Sequence, residues 1–345
     1  MRQRTEELRV GVVGAGGMGS RHARNLVSRA PGARVVAVAD ADVARARALA
    51  AECGAARAYE DGRELVADPE VDAVVVASPD PTHAGYVLAC LEAAKPVFCE
   101  KPLATRSDQA WAIVQREVAL GRRLVQVGFQ RRYDPELRAL RRALSDGAVG
   151  RPVLYRAWHR NVRAAFAPDS SAAVLVNAAI HDLDEIRWLS GQEVDVVHSV
   201  VGHRVDPSLP EGVYDLQLIQ LALRDGALVL VELNLSAAYG YEVGIEVSGD
   251  RGTVTAGLPG GVVTRAEGRC TRAVPPDWLE RFDAAYAAEV VAWVDHVRRG
   301  EPWPNAWDGY ASLVVAEACA EALVTGRQVR VALGAAPPLY GQEDG

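Results

Sequence analysis

The sequence predicts an α/β protein, with an amino-terminal doubly wound parallel sheet followed by a carboxyl-terminal α+β domain that holds a large, open, mostly antiparallel sheet. Three observations predict it. A glycine-rich turn joins an apolar strand to a helix near the start. Apolar strands then alternate with helices of 3.6-residue period as far as about Gly128. Beyond residue 151 the apolar residues recur in steps of two.

The opening strand, Leu8 to Val13, runs into Gly14-Ala15-Gly16-Gly17-Met18-Gly19, which matches G-x-G-x-x-G at Gly14, Gly16 and Gly19. The first glycine permits the tight turn, the second lets the backbone approach a pyrophosphate, and the third lets helix and strand pack closely. The helix over 18–29 aims free N–H groups and its dipole at the phosphates. A second strand, Arg34 to Ala39, ends in Asp40, placed to bond the adenosine ribose hydroxyls. Ala41 and Asp42 follow it, so a 2′-phosphate meets negative charge and NAD is expected over NADP. Asp40 also reads as an N-cap of the next helix.

Further strands are expected at 73–78, 96–100 and 123–129, with helices near 42–52, 82–94 and 107–120, the last capped by Ser107. Ser78-Pro79-Asp80-Pro81-Thr82-His83 forms the loop beside the cofactor, with Thr82 as a helix cap. His83 touches cofactor or substrate in one reading and is satisfied by backbone in the other. Pro96 to Cys99 is an apolar strand closed by Glu100-Lys101-Pro102. In open parallel sheets ligands bind outside the carboxyl ends of the strands, so Lys101 is placed to meet a nicotinamide. Taken alone, the triplet also reads as a solvated strand end. The domains are expected at residues 1–129 and 130–345, with the last helices, 280–299 and 307–325, as candidates to pack back on the first domain. Residues 213–223, 227–238 and 241–248 carry the antiparallel pattern.

A second chemical cluster lies in Val176-Asn177-Ala178-Ala179-Ile180-His181-Asp182-Leu183-Asp184, read as helical. Asn177 and His181 are four apart, which places both side chains on one helix face. Oxidation of a secondary alcohol needs a base for the hydroxyl proton, and histidine titrates near neutral pH. Lys101 then polarises the oxygen and stabilises alkoxide charge. His181 in isolation also reads as a structural histidine.

Composition narrows the function. The 345 residues are 49% hydrophobic and 24% charged, with net charge −7, which argues against a general nucleic-acid surface or anionic membrane. No apolar run approaches the roughly 20 residues of a membrane span, and Met1 to Glu7 lacks the apolar segment of a signal peptide, so a cytoplasmic location is expected. Cysteines 53, 90, 99, 270 and 319 show neither paired nor C-x-x-C spacing and read as small buried apolar residues; no metal site is indicated.

With these motifs in place, the chain resembles the glucose–fructose oxidoreductase, inositol dehydrogenase and rhizopine-catabolism family along nearly its whole length, and within it the inositol dehydrogenases. The resemblance is carried by Gly14 to Gly19, Glu100-Lys101-Pro102 and His181, and by the less generic Val127-Gly128-Phe129-Gln130-Arg131-Arg132-Tyr133-Asp134, His159-Arg160-Asn161 and Tyr239-Gly240-Tyr241. It implies a Rossmann domain, oxidation of a ring hydroxyl of a cyclitol to a ketone, and homotetramers built on the open sheet. It also implies that Arg131, Asn161 and Tyr239 contact the polyol with Gln130 beside them. Read from the residues alone, Arg131 and Arg132 also suit surface pairs with Asp134, and Tyr239 an ordinary strand aromatic. Related inositol dehydrogenases have aspartate four residues before the histidine, where this chain has Asn177. That change leaves open a pyranose sugar or aminocyclitol as substrate, and a dinucleotide-binding sensor without turnover.

Overall fold

The computed structural model describes residues 7–163, 168–257, 263–266 and 268–341, and the chain divides into two compact units. The first contains the described residues up to Gln130, Ala284–Leu313 and those from Gly334 onward. Its strands are β1 (Leu8–Val13), β2 (Ala33–Ala39), β3 (Arg57–Tyr59), β4 (Ala73–Val76), β5 (Val97–Glu100) and β6 (Val125–Gly128), all parallel, in the order β3-β2-β1-β4-β5-β6. The order reverses at β1, which makes the carboxyl end of β1 the switch point where such sheets take a ligand. Helices α1 (Gly17–Arg29), α2 (Val43–Cys53), α3 (Gly62–Ala67), α4 (His83–Glu92) and α5 (Ser107–Leu120) connect the strands. β4 and β5 are buried along their whole length, which is why they read as continuous apolar runs. The core joins Val10, Val12, Val75 and Phe98 of the sheet to Leu26 and to Val290 and Trp293 of the helix Asp283–Arg299. Near the carboxyl end, Tyr340 donates to Glu117 Oε2 at 2.7 Å, while Glu117 Oε1 accepts from Leu124 N and Val125 N.

Two expected caps are absent. Ser107 begins α5, and the N-cap position falls on Arg106, whose side chain makes no capping bond and pairs with Asp108 instead. Thr82 has helical φ/ψ of −95° and −14°, not the extended backbone of a capping hydroxyl, and donates to Pro79 O instead. β3 and α3 escape the sequence pattern because three and six residues are too short to establish a period.

The second unit contains the described residues of Arg131–Asp283 together with Val314–Leu333. Helix α6 (Pro135–Ser145) starts with Asp134 accepting from Glu136 N and Leu137 N and with proline in its first turn. The strands β7 (Pro152–Arg160), β8 (Val194–Val201), β9 (Leu216–Leu223), β10 (Leu228–Asn234), β11 (Glu242–Gly249), β12 (Thr253–Ala256) and β15 (Val329–Arg330) form a sheet in the order β12-β11-β7-β10-β9-β8-β15. Every neighbouring pair is antiparallel except β7 with β10. β13 (Val263–Ala266) and β14 (Arg269–Arg272) make a separate hairpin. Helices α7 (Ser171–Val174), α8 (Ile180–Ser190) and α9 (Trp278–Arg281) belong to this unit, and α8 packs on β7. α10 is the helix Asp283–Arg299, and α11 (Ala306–Thr325) supplies residues to both units. One face of the sheet buries Ile219, Leu221, Val229, Val231 and Leu233, while the other exposes Leu218 and Leu228.

The cysteines divide: Cys90, Cys99 and Cys319 are buried, Cys53 is half-buried, and Cys270 is exposed on β14 of the two-stranded hairpin. Among the described residues, no helix is long and apolar enough to cross a membrane, and no cluster of His, Cys, Asp and Glu has the makings of a metal site.

Candidate functional site

The glycine-rich loop has the stereochemistry that its three glycines demand. Gly14 sits at φ +99°, and a Cβ there would lie 2.5 Å from Ala77 O. A Cβ on Gly19 would fall on Gly14 O, so only glycine lets α1 approach β1 so closely. A Cβ on Gly16 would meet nothing, which leaves the room that a pyrophosphate needs. Gly17 and Met18 form the first residues of α1, whose amino end has no side-chain cap and no acidic residue in its first turn. Free N–H groups and an unopposed positive dipole end fit a phosphate.

Asp40 is tied to the same loop. Its Oδ2 accepts from Ala15 N at 2.7 Å, and its Oδ1 accepts from Asp42 N at 2.8 Å and Arg45 Nη2 at 3.1 Å. The cap of α2 is Asp42, which accepts from Ala44 N and Arg45 N. Asp40 therefore stands beside the glycine turn with one acceptor position left open.

Ser78 is half-buried and Pro79 exposed at the end of β4. His83 is only 1% exposed, with its ring nitrogens 2.7 Å from Pro102 O and 2.8 Å from Ser78 O. It thus ties the Ser78 loop to the loop after Lys101, with both ring nitrogens engaged by the protein. Glu100 is buried, with Oε1 2.6 Å from His22 Nε2 and Oε2 accepting from Lys101 N. Lys101 itself is half-buried just past the end of β5. Within reach of the Glu100 charge lies Glu289 of α10, completely buried, with neither carboxyl oxygen hydrogen-bonded to the described residues. Burial, reinforced by the Glu100 charge, raises its carboxyl well above the usual range.

In the second unit Arg131 lies at the centre of a buried ion cluster, and Asn161 lies beside it. Arg131 is 2% exposed, with Nη1 donating to Asp182 Oδ1 at 2.7 Å and Glu185 Oε2 at 2.9 Å, and Nη2 3.1 Å from His159 Nδ1. His159 Nδ1 is also 2.8 Å from Asp182 Oδ2, and its Nε2 lies 3.5 Å from Asn161 Nδ2. Burial opposes the charge on Arg131, but Asp182 and Glu185 outweigh it and raise the guanidinium above its ordinary value. Burial alone would also raise Asp182, yet Arg131 and His159 hold it below the usual range, whereas burial pushes Glu185 up to about 7. The surface pairing of Arg131 and Arg132 with Asp134 is not what the fold adopts. Arg132 is buried against Asp184, and Asp134 pairs with Arg281. Arg131 thus braces β7, through His159, against α8, which bears His181, its amino groups taken up by carboxylates and imidazole.

Asn161 is buried and bound through its backbone to Asn234 O and Ala237 N. Tyr239 is 59% exposed and donates to Glu242 Oε2 at 2.7 Å, beside Arg160, which is held by Glu232 and Glu242. Gln130 is buried, and its amide oxygen makes no hydrogen bond to the described residues. Asn177 and His181 are both half-buried, but Asn177 lies in a π-helical turn, Leu175–Ala179, and α8 begins only at Ile180. That turn closes with an i→i+5 bond, so the spacing of a regular α-helix does not describe the path from Asn177 to His181.

The residues that sequence reasoning passed over are His22, Glu289, Asp182 and Glu185. His22 and Glu289 carried one available signal, a polar residue on the apolar stripe of a helix. Nothing local paired them with Glu100.

Residues 8–129 match an oxidoreductase family domain described as an NAD-binding Rossmann fold, and residues 141–333 match the C-terminal alpha/beta domain of the same family. The chain is 49% identical over 346 residues to the inositol 2-dehydrogenase of Rubrobacter xylanophilus, covering 99% of each chain. It is 40% identical to the inositol 2-dehydrogenase/D-chiro-inositol 3-dehydrogenase of Shouchella clausii, with 96% of each covered. Among solved structures, the myo-inositol dehydrogenase of Lactobacillus casei in complex with NAD(H) and myo-inositol superposes with TM-score 0.92 at 35% identity, covering 97% of this chain and 99% of that one. The scyllo-inositol dehydrogenase of the same organism, with bound NAD(H) and scyllo-inositol, gives 0.88 at 26% identity, over 95% of this chain and 100% of that one.

Proposed function

The chain belongs to the glucose–fructose oxidoreductase, inositol dehydrogenase and rhizopine-catabolism family of oxidoreductases, and from that premise we propose that it oxidises a ring hydroxyl of an inositol-like cyclitol to the ketone with NAD. The observation that carries this reading is a dinucleotide loop of the required stereochemistry in a chain 49% identical, end to end, to an inositol 2-dehydrogenase. NAD, bound at Gly14 to Gly19 and Asp40, supplies the hydride acceptor. Asp40 favours it over NADP, because a 2′-phosphate would meet the charges of Asp40 and Asp42.

The chain's own residues do the rest. Lys101 polarises the reacting oxygen and stabilises the alkoxide charge that develops as the proton leaves. His181 takes that proton. Asn177 positions the ring. Asn161 and Tyr239 supply the donors and acceptors that recognise several hydroxyls at once, with Gln130 beside them. Arg131 acts through its hold on Asp182 and His159. Glu100 and His83 hold the Lys101 and Ser78 loops in place. The exposed Leu218 and Leu228 support a homo-oligomer formed through the open sheet.

The test is NADH absorbance at saturating NAD or NADP with a panel of inositols, aminocyclitols and pyranose sugars. Turnover is expected on an inositol with NAD. Lys101→Met should lower kcat by about a hundredfold or more, the loss typical of removing one alkoxide-stabilising donor, while NADH binding stays within a few-fold. Turnover only on a pyranose or aminocyclitol would move the substrate class and point to Asn177. Tight NADH binding without turnover on any compound would overturn the enzyme reading in favour of a sensor.

A further inference from the structure

Asp40 does not wait for a ribose unencumbered. A carboxylate offers about four acceptor positions. Oδ1 is filled by Asp42 N and Arg45 Nη2, and Oδ2 already accepts Ala15 N. One position therefore remains, where two ribose hydroxyls need two. The donors from Ala15 and Asp42 are backbone groups of the loops after β1 and β2 and cannot leave without distorting those loops. Arg45 can leave: its side chain is 58% exposed against 10% for Asp40. Its second tie, from Nε to Asp42 Oδ2 at 3.2 Å, lies within the first turn of α2 and keeps the guanidinium close by when it lets go of Asp40.

We propose that Arg45 is the second determinant of cofactor choice: it occupies the Asp40 oxygen that the 2′-hydroxyl of NAD takes over, and it is the cation that a 2′-phosphate engages. This rests on the reading of Gly14 to Gly19 and Asp40 as the dinucleotide site. Asp40 and Asp42 together repel a 2′-phosphate, and Arg45 offsets part of that repulsion because it is held between them. Discrimination against NADP is then the difference between two opposed charges, and each can be removed separately.

Dissociation constants for NADH and NADPH, taken from nucleotide fluorescence on the intact protein, read this directly without turnover. Arg45→Ala should weaken NADPH at least about fivefold, a modest share of a charge-assisted bond because the group is exposed. NADH should be unchanged or bind up to about threefold tighter, since it no longer displaces a side chain. The NADPH effect should shrink as salt rises from 0.05 to 0.5 M. Asp40→Ser should strengthen NADPH by about tenfold, and the double variant Asp40→Ser with Arg45→Ala should lose that gain. Arg47→Ala, an exposed cation elsewhere on α2, should leave the NADH-to-NADPH ratio within twofold.

An Arg45→Ala protein with the wild-type ratio, or one that weakens both nucleotides equally, would overturn the proposal. So would an Arg47→Ala protein that shifts the ratio as much, because general charge would then explain it. If Asp40→Ser fails to fold, Arg45→Ala in the wild-type background still decides. A wild-type protein that binds neither nucleotide would instead sink the dinucleotide reading itself, and the two failures are told apart by the NADH titration alone.

Discussion

Replacing Arg131 by Met tests whether the buried ion cluster organises the second unit. Met keeps the length of the side chain and removes three interactions, those with Asp182 at 2.7 Å, Glu185 at 2.9 Å and His159 at 3.1 Å. Asp182 retains His159 at 2.8 Å, whereas Glu185 already has one oxygen without a hydrogen bond to the described residues and loses its guanidinium. Breaking a buried pair by removing one partner costs about 3–5 kcal/mol, because a buried charge is left uncompensated. The loss should depend on pH. Burial has raised the Glu185 carboxyl to about 7 against the pull of Arg131, so without Arg131 it rises further. A carboxyl raised above its unfolded value contributes stability below that value and loses it as pH climbs through the folded one. Between pH 6 and 8 the wild type should lose stability through this group, and the variant should lose more, because its carboxyl keeps the proton to higher pH when folded. The deficit should thus widen over that interval. Urea unfolding followed by tryptophan fluorescence at the two pH values measures it, and Glu185→Gln added to the variant should recover stability at pH 8. A deficit below about 1 kcal/mol at both pH values, or one that does not grow with pH, would refute the reasoning.

Two other outcomes follow from the same physics. Glu289→Met removes a buried carboxyl whose two oxygens lack hydrogen bonds to the described residues and which burial holds well above its usual pKa. It should raise stability by at least about 1 kcal/mol, the cost of an unsatisfied buried polar group. Because a raised carboxyl loses its stabilising proton as pH rises, thermal melts should show a larger gain at pH 8.5 than at pH 6; a loss at both would contradict it. Asn177→Asp places a carboxylate four residues before His181, which should move the acidic limb of the kcat/KM profile to higher pH and reorder the preferred ring epimers. Unchanged turnover and ranking would remove Asn177 from the account of specificity.

The sequence by itself determined what repeats locally. Gly14, Gly16 and Gly19 announced a turn whose backbone only glycine tolerates, and Asp40 and Lys101 were legible because each closes an apolar strand at the end where open sheets bind ligands. Period and punctuation are properties of neighbouring residues, and they survive without knowledge of the rest of the chain. The tertiary structure decided the pairings. His22 meets Glu100 across 78 positions, Arg131 meets Asp182 across 51, and α10 brings Trp293 to Phe98 from the far end of the sequence. β7 went unrecognised because its stretch mixes Arg156, Trp158 and Arg160 with Tyr155 and Ala157, and only pairing with β10 and β11 makes it central. The π-turn at Asn177 is equally invisible in a pattern of spacings. Hydrophobic burial and charge pairing select partners by distance in space, and a one-dimensional pattern records which residues need a partner without recording which one the fold supplies.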